Sequence, residues 1–224
     1  MRFAIACFTV HLDVRFRRTY NIHGFSILQG DKMSLQQKNI KSFDAIDELS
    51  GILAKLEASV KDSLKSAISA TVRALKAGRK ILVFGNGGSA AEAQHFAAEL
   101  VNRFLKERRA IPAIALTTDT SALTAIANDR SFGQVFSRQI EAIGEKGDAA
   151  IALTTSGNSP NIIEGLKAAK AKGMLTIALT GEGGGKLAGL ADFLLAVPSK
   201  STPRIQEAHL LMLHMMAEEI EARL

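Results

Sequence analysis

Five short apolar runs constrain this chain more than any other feature: Ile81–Phe84, Ala113–Leu116, Ala149–Leu153, Leu175–Leu179 and Phe193–Val197. Each is apolar at successive positions and is flanked by Gly, Pro, Asp or Ser. Such runs suit strands buried on both faces, as in a parallel sheet covered by crossover helices. Helical patterns separate them, so the order βαβαβαβαβα argues an α/β fold, a doubly wound five-stranded parallel sheet flanked by helices. Ligands of such sheets sit beyond the carboxyl ends of the strands.

Ahead of the sheet, Ser34 to Lys80 reads as two helices. Ile46, Leu49, Ile52, Leu53 and Leu56 mark the first, and Val60, Leu64, Ile68, Val72 and Leu75 the second, which ends near Ala77-Gly78. Neither contains a motif, and both offer apolar surface for packing. A last helix runs from about Pro203 to Leu224, with Pro203 in its first turn. Together these elements make one domain over residues 33–224.

Residues 1–32 differ from the rest. They hold the only Cys (Cys7), the only Tyr (Tyr20) and four of the eleven Phe. A secretory signal is one reading of Phe3–Val10 behind Arg2, but no small-x-small cleavage site follows, and Arg15, Arg17 and Arg18 come soon after. The segment is read instead as an extension upstream of a natural start at Met33. Arg2, Arg15, Arg17, Arg18 and Lys32 against Asp13 and Asp31 give it +3 of the chain's net +6. The +3 left for the body suits an anionic small substrate and gives no ground for direct nucleic-acid binding. No apolar run approaches the roughly 18 residues of a membrane span. A single cysteine excludes an intrachain disulfide and fits a reducing compartment, here the cytoplasm.

Two loops follow strands. Gly85-Asn86-Gly87-Gly88-Ser89 comes after the first and opens a helix. It reads equally as a tight turn or as a close approach of backbone to an anion at a helix N-terminus. It is not the G-x-G-x-x-G fingerprint. Thr154-Thr155-Ser156-Gly157-Asn158-Ser159-Pro160 follows the third strand and places four hydroxyls within six residues. One hydroxyl would suffice for a helix cap, so four favour a phosphate cradle.

His95 and Glu99 are one turn apart on the helix after the glycine loop, and the last helix carries Gln206, His209 and His214. A pair such as His95 and Glu99 is often structural. All three histidines of residues 33–224, however, lie in these two helices.

Gly85 to Ser89, His95 and Glu99, Thr154 to Ser159, and Arg204-Ile205-Gln206-Glu207 with His209 and His214 together resemble the bacterial phosphoheptose isomerases, enzymes of the sugar isomerase (SIS) domain family. The resemblance covers about residues 34–224. It implies an aldose–ketose isomerase that converts D-sedoheptulose 7-phosphate to D-glycero-D-manno-heptose 7-phosphate, toward the heptose of lipopolysaccharide. By motif it implies substrate contacts from Asn86, Gly87, Gly88, Ser89, Arg103, Asn128, Asp129 and Gln206. Thr154, Thr155, Ser156 and Ser159 would hold the phosphate. Glu99 and His214 would be the acid/base pair, and His95, Glu99, Gln206 and His214 would hold Zn²⁺. It also implies a tetramer. Pro203 stands where some members carry an Asp implicated in the site.

A second resemblance, carried by Ala93 to Ala98, Asn102 to Phe104 and Leu123 to Arg130, is to the non-enzymatic relative that binds the bacterial replication initiator. That relative lacks the counterparts of Glu99 and His214, which favours the isomerase. An isomerase of another sugar phosphate is a third reading. Gln206 and His214 are eight residues apart on one helix, about 12 Å of rise and roughly 80° of rotation. Zinc ligands lie about 2 Å from the metal. One ion held by both would therefore draw them from different chains, with sites at subunit interfaces and Glu99 and His214 meeting across them.

Overall fold

The structure is a computed structural model that describes residues 43–224. The extension 1–32 and the expected helix start at Ser34 lie outside these residues. Helix α1 runs from Asp44 to Lys76 as one unbroken helix of 33 residues. The two helices expected there are therefore one. Between Leu56 and Val60 the chain reads Glu-Ala-Ser, which contains no proline or glycine to break it. Ile52, Leu56, Val60, Leu64, Ile68 and Leu75 form one buried stripe along it.

The remaining elements are β1 (Ile81–Gly85), α2 (Gly88–Val101), β2 (Ala113–Ala115), α3 (Thr120–Asp129), α4 (Ser137–Ile143), β3 (Ala149–Leu153), α5 (Pro160–Ala171), β4 (Leu175–Thr180), β5 (Phe193–Ala196) and α6 (Thr202–Arg223). All five strands pair in parallel, in the order β2-β1-β3-β4-β5. The one-helix-per-crossover expectation holds only in part. Two helices, α3 and α4, join β2 to β3, and a single 3-10 turn, Gly185–Leu187, replaces the helix between β4 and β5. The run Gly181 to Gly185 holds four glycines in five residues, too poor in helix formers to sustain a longer helix.

The central strands β1 and β3 are buried at every position, whereas the edge strands β2 and β5 are partly open. Alternate residues feed two cores. Ile81 and Val83 face the layer of α1, α2 and α6, while Leu82 and Phe84 face the layer of α4 and α5. The strand order reverses between β1 and β3. Their carboxyl ends thus form the crevice where a doubly wound sheet takes its ligand, and both candidate loops leave from there.

Candidate active site

The glycine loop is shaped by contact as well as by turn geometry. Gly87 has a positive φ of 55°, a conformation that favours glycine. A Cβ on Gly88 would collide with the side chain of Gln206. Gln206 thus sits against the loop from the first turns of α6, and Pro203 lies in the helix's first turn, where a missing N–H costs nothing.

Asn86 and Asn161 exchange two side-chain hydrogen bonds. Asn86 Nδ2 donates to Asn161 Oδ1 at 2.9 Å, and Asn161 Nδ2 donates to Asn86 Oδ1 at 2.8 Å. Asn161 is buried and also accepts from the amide of Ile162. This pair latches the loop after β1 to the loop after β3.

In the second loop Thr154 is buried, Thr155 and Ser159 are half-buried, and Ser156 is exposed. Ser159 makes no side-chain cap to α5. The amides of Ile162 and Ile163 already donate to the Ser159 carbonyl. Helix amides at these positions are therefore spent, which leaves an anion to the hydroxyls more than to the helix end. Ser156 Oγ accepts from the amide of Asn158 at 3.1 Å, so its proton is available to point elsewhere.

Helices α2 and α6 run side by side in the same direction, matching Gln206 to Gly88 and His214 to His95. His95 Nε2 and His214 Nε2 are 2.8 Å apart, and Glu99 Oε1 is 3.5 Å from His95 Nε2. Phe104 stacks on His214, with ring centroids 5.4 Å apart and planes at 22°. His95, Glu99 and His214 therefore meet within one chain. The expectation that Glu99 and His214 meet across subunits is corrected, because direct packing of α2 on α6 brings both to His95. Gln206, two turns away, does not join this trio in the same chain.

Two imidazole nitrogens and a carboxylate are donors that zinc accepts. The 2.8 Å gap is tighter than the roughly 3.3 Å between two nitrogens that are each 2.0–2.1 Å from a tetrahedral ion. No group of three such side chains among the described residues stands in ligating geometry. The donor set thus fits zinc in chemistry, after a small spreading of the imidazoles.

Other expected residues bond to near neighbours. Arg103 lies beyond the end of α2 and pairs with Glu107 at 3.1 Å. Asn128 donates to its neighbour Asp129 at the exposed end of α3 instead of to either loop.

Between α2 and α6 lies a buried pair, Glu92 and His209. His209 Nε2 faces the Thr180 carbonyl at 3.1 Å, so it carries the ring proton and leaves Nδ1 bare. Nδ1 stands 4.0 Å from Glu92 Oε2, and neither atom has a hydrogen-bond partner. Burial raises the Glu92 pKa to about 7, opposed in part by the Ser89 hydroxyl. Burial lowers that of His209 to about 4, against the Thr180 carbonyl.

The places of Asn161, Phe104 and Glu92 in the site were not legible in the sequence. An inward-facing Asn behind a helix-opening proline carries no periodic signal, and Phe104 meets His214 only through tertiary packing.

The SIS domain family matches residues 46–181. The chain is 51% identical over 173 residues to the phosphoheptose isomerase of Citrifermentans bemidjiense, covering 77% of this chain and 90% of that protein. It is 60% identical over 148 residues to that of Aquifex aeolicus, covering 66% and 78%. Among solved structures, the phosphoheptose isomerase of Neisseria gonorrhoeae superposes with a TM-score of 0.77 at 44% identity, covering 81% of this chain and 97% of that one. That of Francisella tularensis gives 0.79 at 37% identity, with the same coverage.

Proposed function

The chain belongs to the SIS-domain phosphoheptose isomerase family, and from that premise we propose that it converts D-sedoheptulose 7-phosphate to D-glycero-D-manno-heptose 7-phosphate, toward the heptose of lipopolysaccharide. The observation that carries this reading is the meeting of Glu99, His95 and His214 on two helices whose other ends flank the glycine loop. A ligand-binding module has no physical need for a carboxylate beside two imidazoles. An isomerase needs groups that move protons.

In this reading Thr154, Thr155, Ser156 and Ser159 hold the phosphate. The Glu99 carboxylate takes a proton from C1 of the ketose and returns it to C2, through an enediolate. His214 moves the second proton from O1 to O2, because an imidazole both gives and takes protons near neutral pH. His95 holds the facing imidazole in register. Asn86, Gly87, Gly88, Ser89 and Gln206 shape the substrate's bed, and the Asn86–Asn161 latch keeps the two loops at one spacing. Zinc would be held by His95, Glu99 and His214, with Gln206 completing the set from a second chain, and would supply positive charge against oxygens that turn negative. Arg103, Asn128 and Asp129 are further substrate contacts in this reading, with side chains that otherwise bond to near neighbours.

The deciding experiment is a coupled assay of the purified protein on sedoheptulose 7-phosphate, with and without chelator. Turnover is expected, and chelation is expected to lower it. Ser156→Ala and Ser159→Ala should each weaken substrate binding by about 1–3 kcal/mol, the worth of a hydrogen bond to a charged group, and weaken competition by inorganic phosphate in parallel. Absence of turnover would remove the activity, and unchanged binding in both variants would remove the phosphate loop.

The active assembly is proposed to be a cytoplasmic tetramer built on the domain from Met33 onward. No described helix is long and apolar enough to cross a membrane. Light scattering and assay of the chain beginning at Met33, beside the full chain, should give the same tetramer and the same turnover. A fully active monomer would rule out shared sites.

A further inference from the structure

Glu221 lies two turns beyond His214 on α6 and takes no part in the chemistry above, yet its side chain is only 2% exposed and heavily bonded. Its carboxylate accepts from the backbone amides of Phe104 (3.1 Å), Leu105 (2.9 Å) and Lys106 (2.9 Å), and from Arg108 Nε (3.1 Å). Burial opposes the charge, but the amides of Leu105, Phe104 and Lys106 and the Arg108 guanidinium outweigh it and hold the carboxyl below the ordinary glutamate range.

Arg108 extends the clasp. It donates to the carbonyls of Glu99 (2.8 Å), Leu100 (2.8 Å) and Asn102 (3.3 Å). Glu99 and Leu100 are among the last carbonyls of α2, which a helix end leaves without intrahelical partners, and Leu100 also accepts from the amide of Ile111 at 3.1 Å. Glu221 therefore governs two things at once. It fixes the loop whose Phe104 lies against the face of His214, and through Arg108 it fixes the last turn of α2, where Glu99 resides.

We propose that Glu221 is a positioning residue for the isomerase, holding Glu99 and His214 in mutual register through Arg108 and the Phe104 ring. The inference rests on the reading of Glu99 and His214 as the acid/base pair. A misplacement of about 1 Å at a reacting group costs up to about 10²-fold in rate, so a loosened clasp should register in kcat more than in KM.

The test uses the full chain and two kinds of readout. The imidazole proton resonances of His214 carry the ring-current shift of Phe104 in NMR spectra, whether or not the protein turns over. Glu221→Gln, with fold verified by circular dichroism, should lose that shift and lower kcat about tenfold or more, with KM changed less than about threefold. Phe104→Leu keeps the clasp but removes the ring. It should show the same loss at a melting temperature near the parent's, and Phe104→Tyr, which restores the ring, should recover most of it. If Glu221→Gln fails to fold, the Phe104 pair decides. Parent-like kcat and an unmoved His214 resonance in folded Glu221→Gln, or parent-like kcat in Phe104→Leu, would overturn the proposal. If the parent itself shows no turnover, the function reading fails separately, while the resonance still reports on positioning.

Discussion

Glu99→Gln is expected to lower isomerisation by at least roughly 10²-fold, the lower end of a general-base contribution. The amide copies the size and hydrogen-bonding reach of the carboxylate but has no basic lone pair to accept a proton from carbon. Glu99 faces His95 Nε2 at 3.5 Å, and its side chain is 23% exposed, reachable by substrate without being fully hydrated. Its backbone is held by Arg108 whatever the side chain, so the fold should be kept. Competition by inorganic phosphate should also be parent-like, since the hydroxyl loop leaves from β3 and not from α2. Near-normal turnover in the folded variant would take the base away from Glu99.

The second large effect is on stability and concerns Glu92. In the native state Glu92 holds its proton up to about pH 7, whereas a glutamate in the unfolded chain releases it near 4.5. Between those values the native state binds more protons than the unfolded one, so stability falls as pH rises, by about 3 kcal/mol across the window. His209 acts with the opposite sign. Its native pKa of about 4 lies below the ordinary 6.5, so it costs stability as pH falls from 6.5 toward 4. The two slopes oppose one another between about 4.5 and 6.5, and the neutral forms of both groups suit a dry site. Glu92→Gln removes the Glu92 contribution alone. Measured by urea denaturation at fixed protein concentration, the variant should gain on the parent by up to about 3 kcal/mol between pH 4.5 and 7.5. Parallel stability curves would show that Glu92 is ionised in the native state.

The sheet was legible because its strands are buried on both faces and so write unbroken apolar runs. Ala149–Leu153 was legible to the residue, and the others to within a residue at their carboxyl ends. Crossover helices were less so. Periodicity in α1 looked like two segments because a buried stripe of four-residue steps drifts around a long helix, and nothing in a local window distinguishes drift from a break. At the site, His95, Glu99 and His214 could be named from their residue types and motif, but their meeting within one chain could not. That depends on α2 and α6 lying parallel in contact, a fact of packing. The roles of Asn161 and Glu221 rest on partners 75 and more than 110 positions away in sequence, beyond the reach of any spacing rule.

The parallel course of α2 and α6 also makes the pair a ruler. From Gly88 to His95 is seven residues, about 10 Å of helix rise, and from Gln206 to His214 on α6 is eight, about 12 Å. In the proposed reaction this spacing sets how far from the glycine loop a sugar's reacting carbons must lie to reach His95 and His214. An insertion of one residue in either helix would shift the graduation by about 1.5 Å and turn it by about 100°.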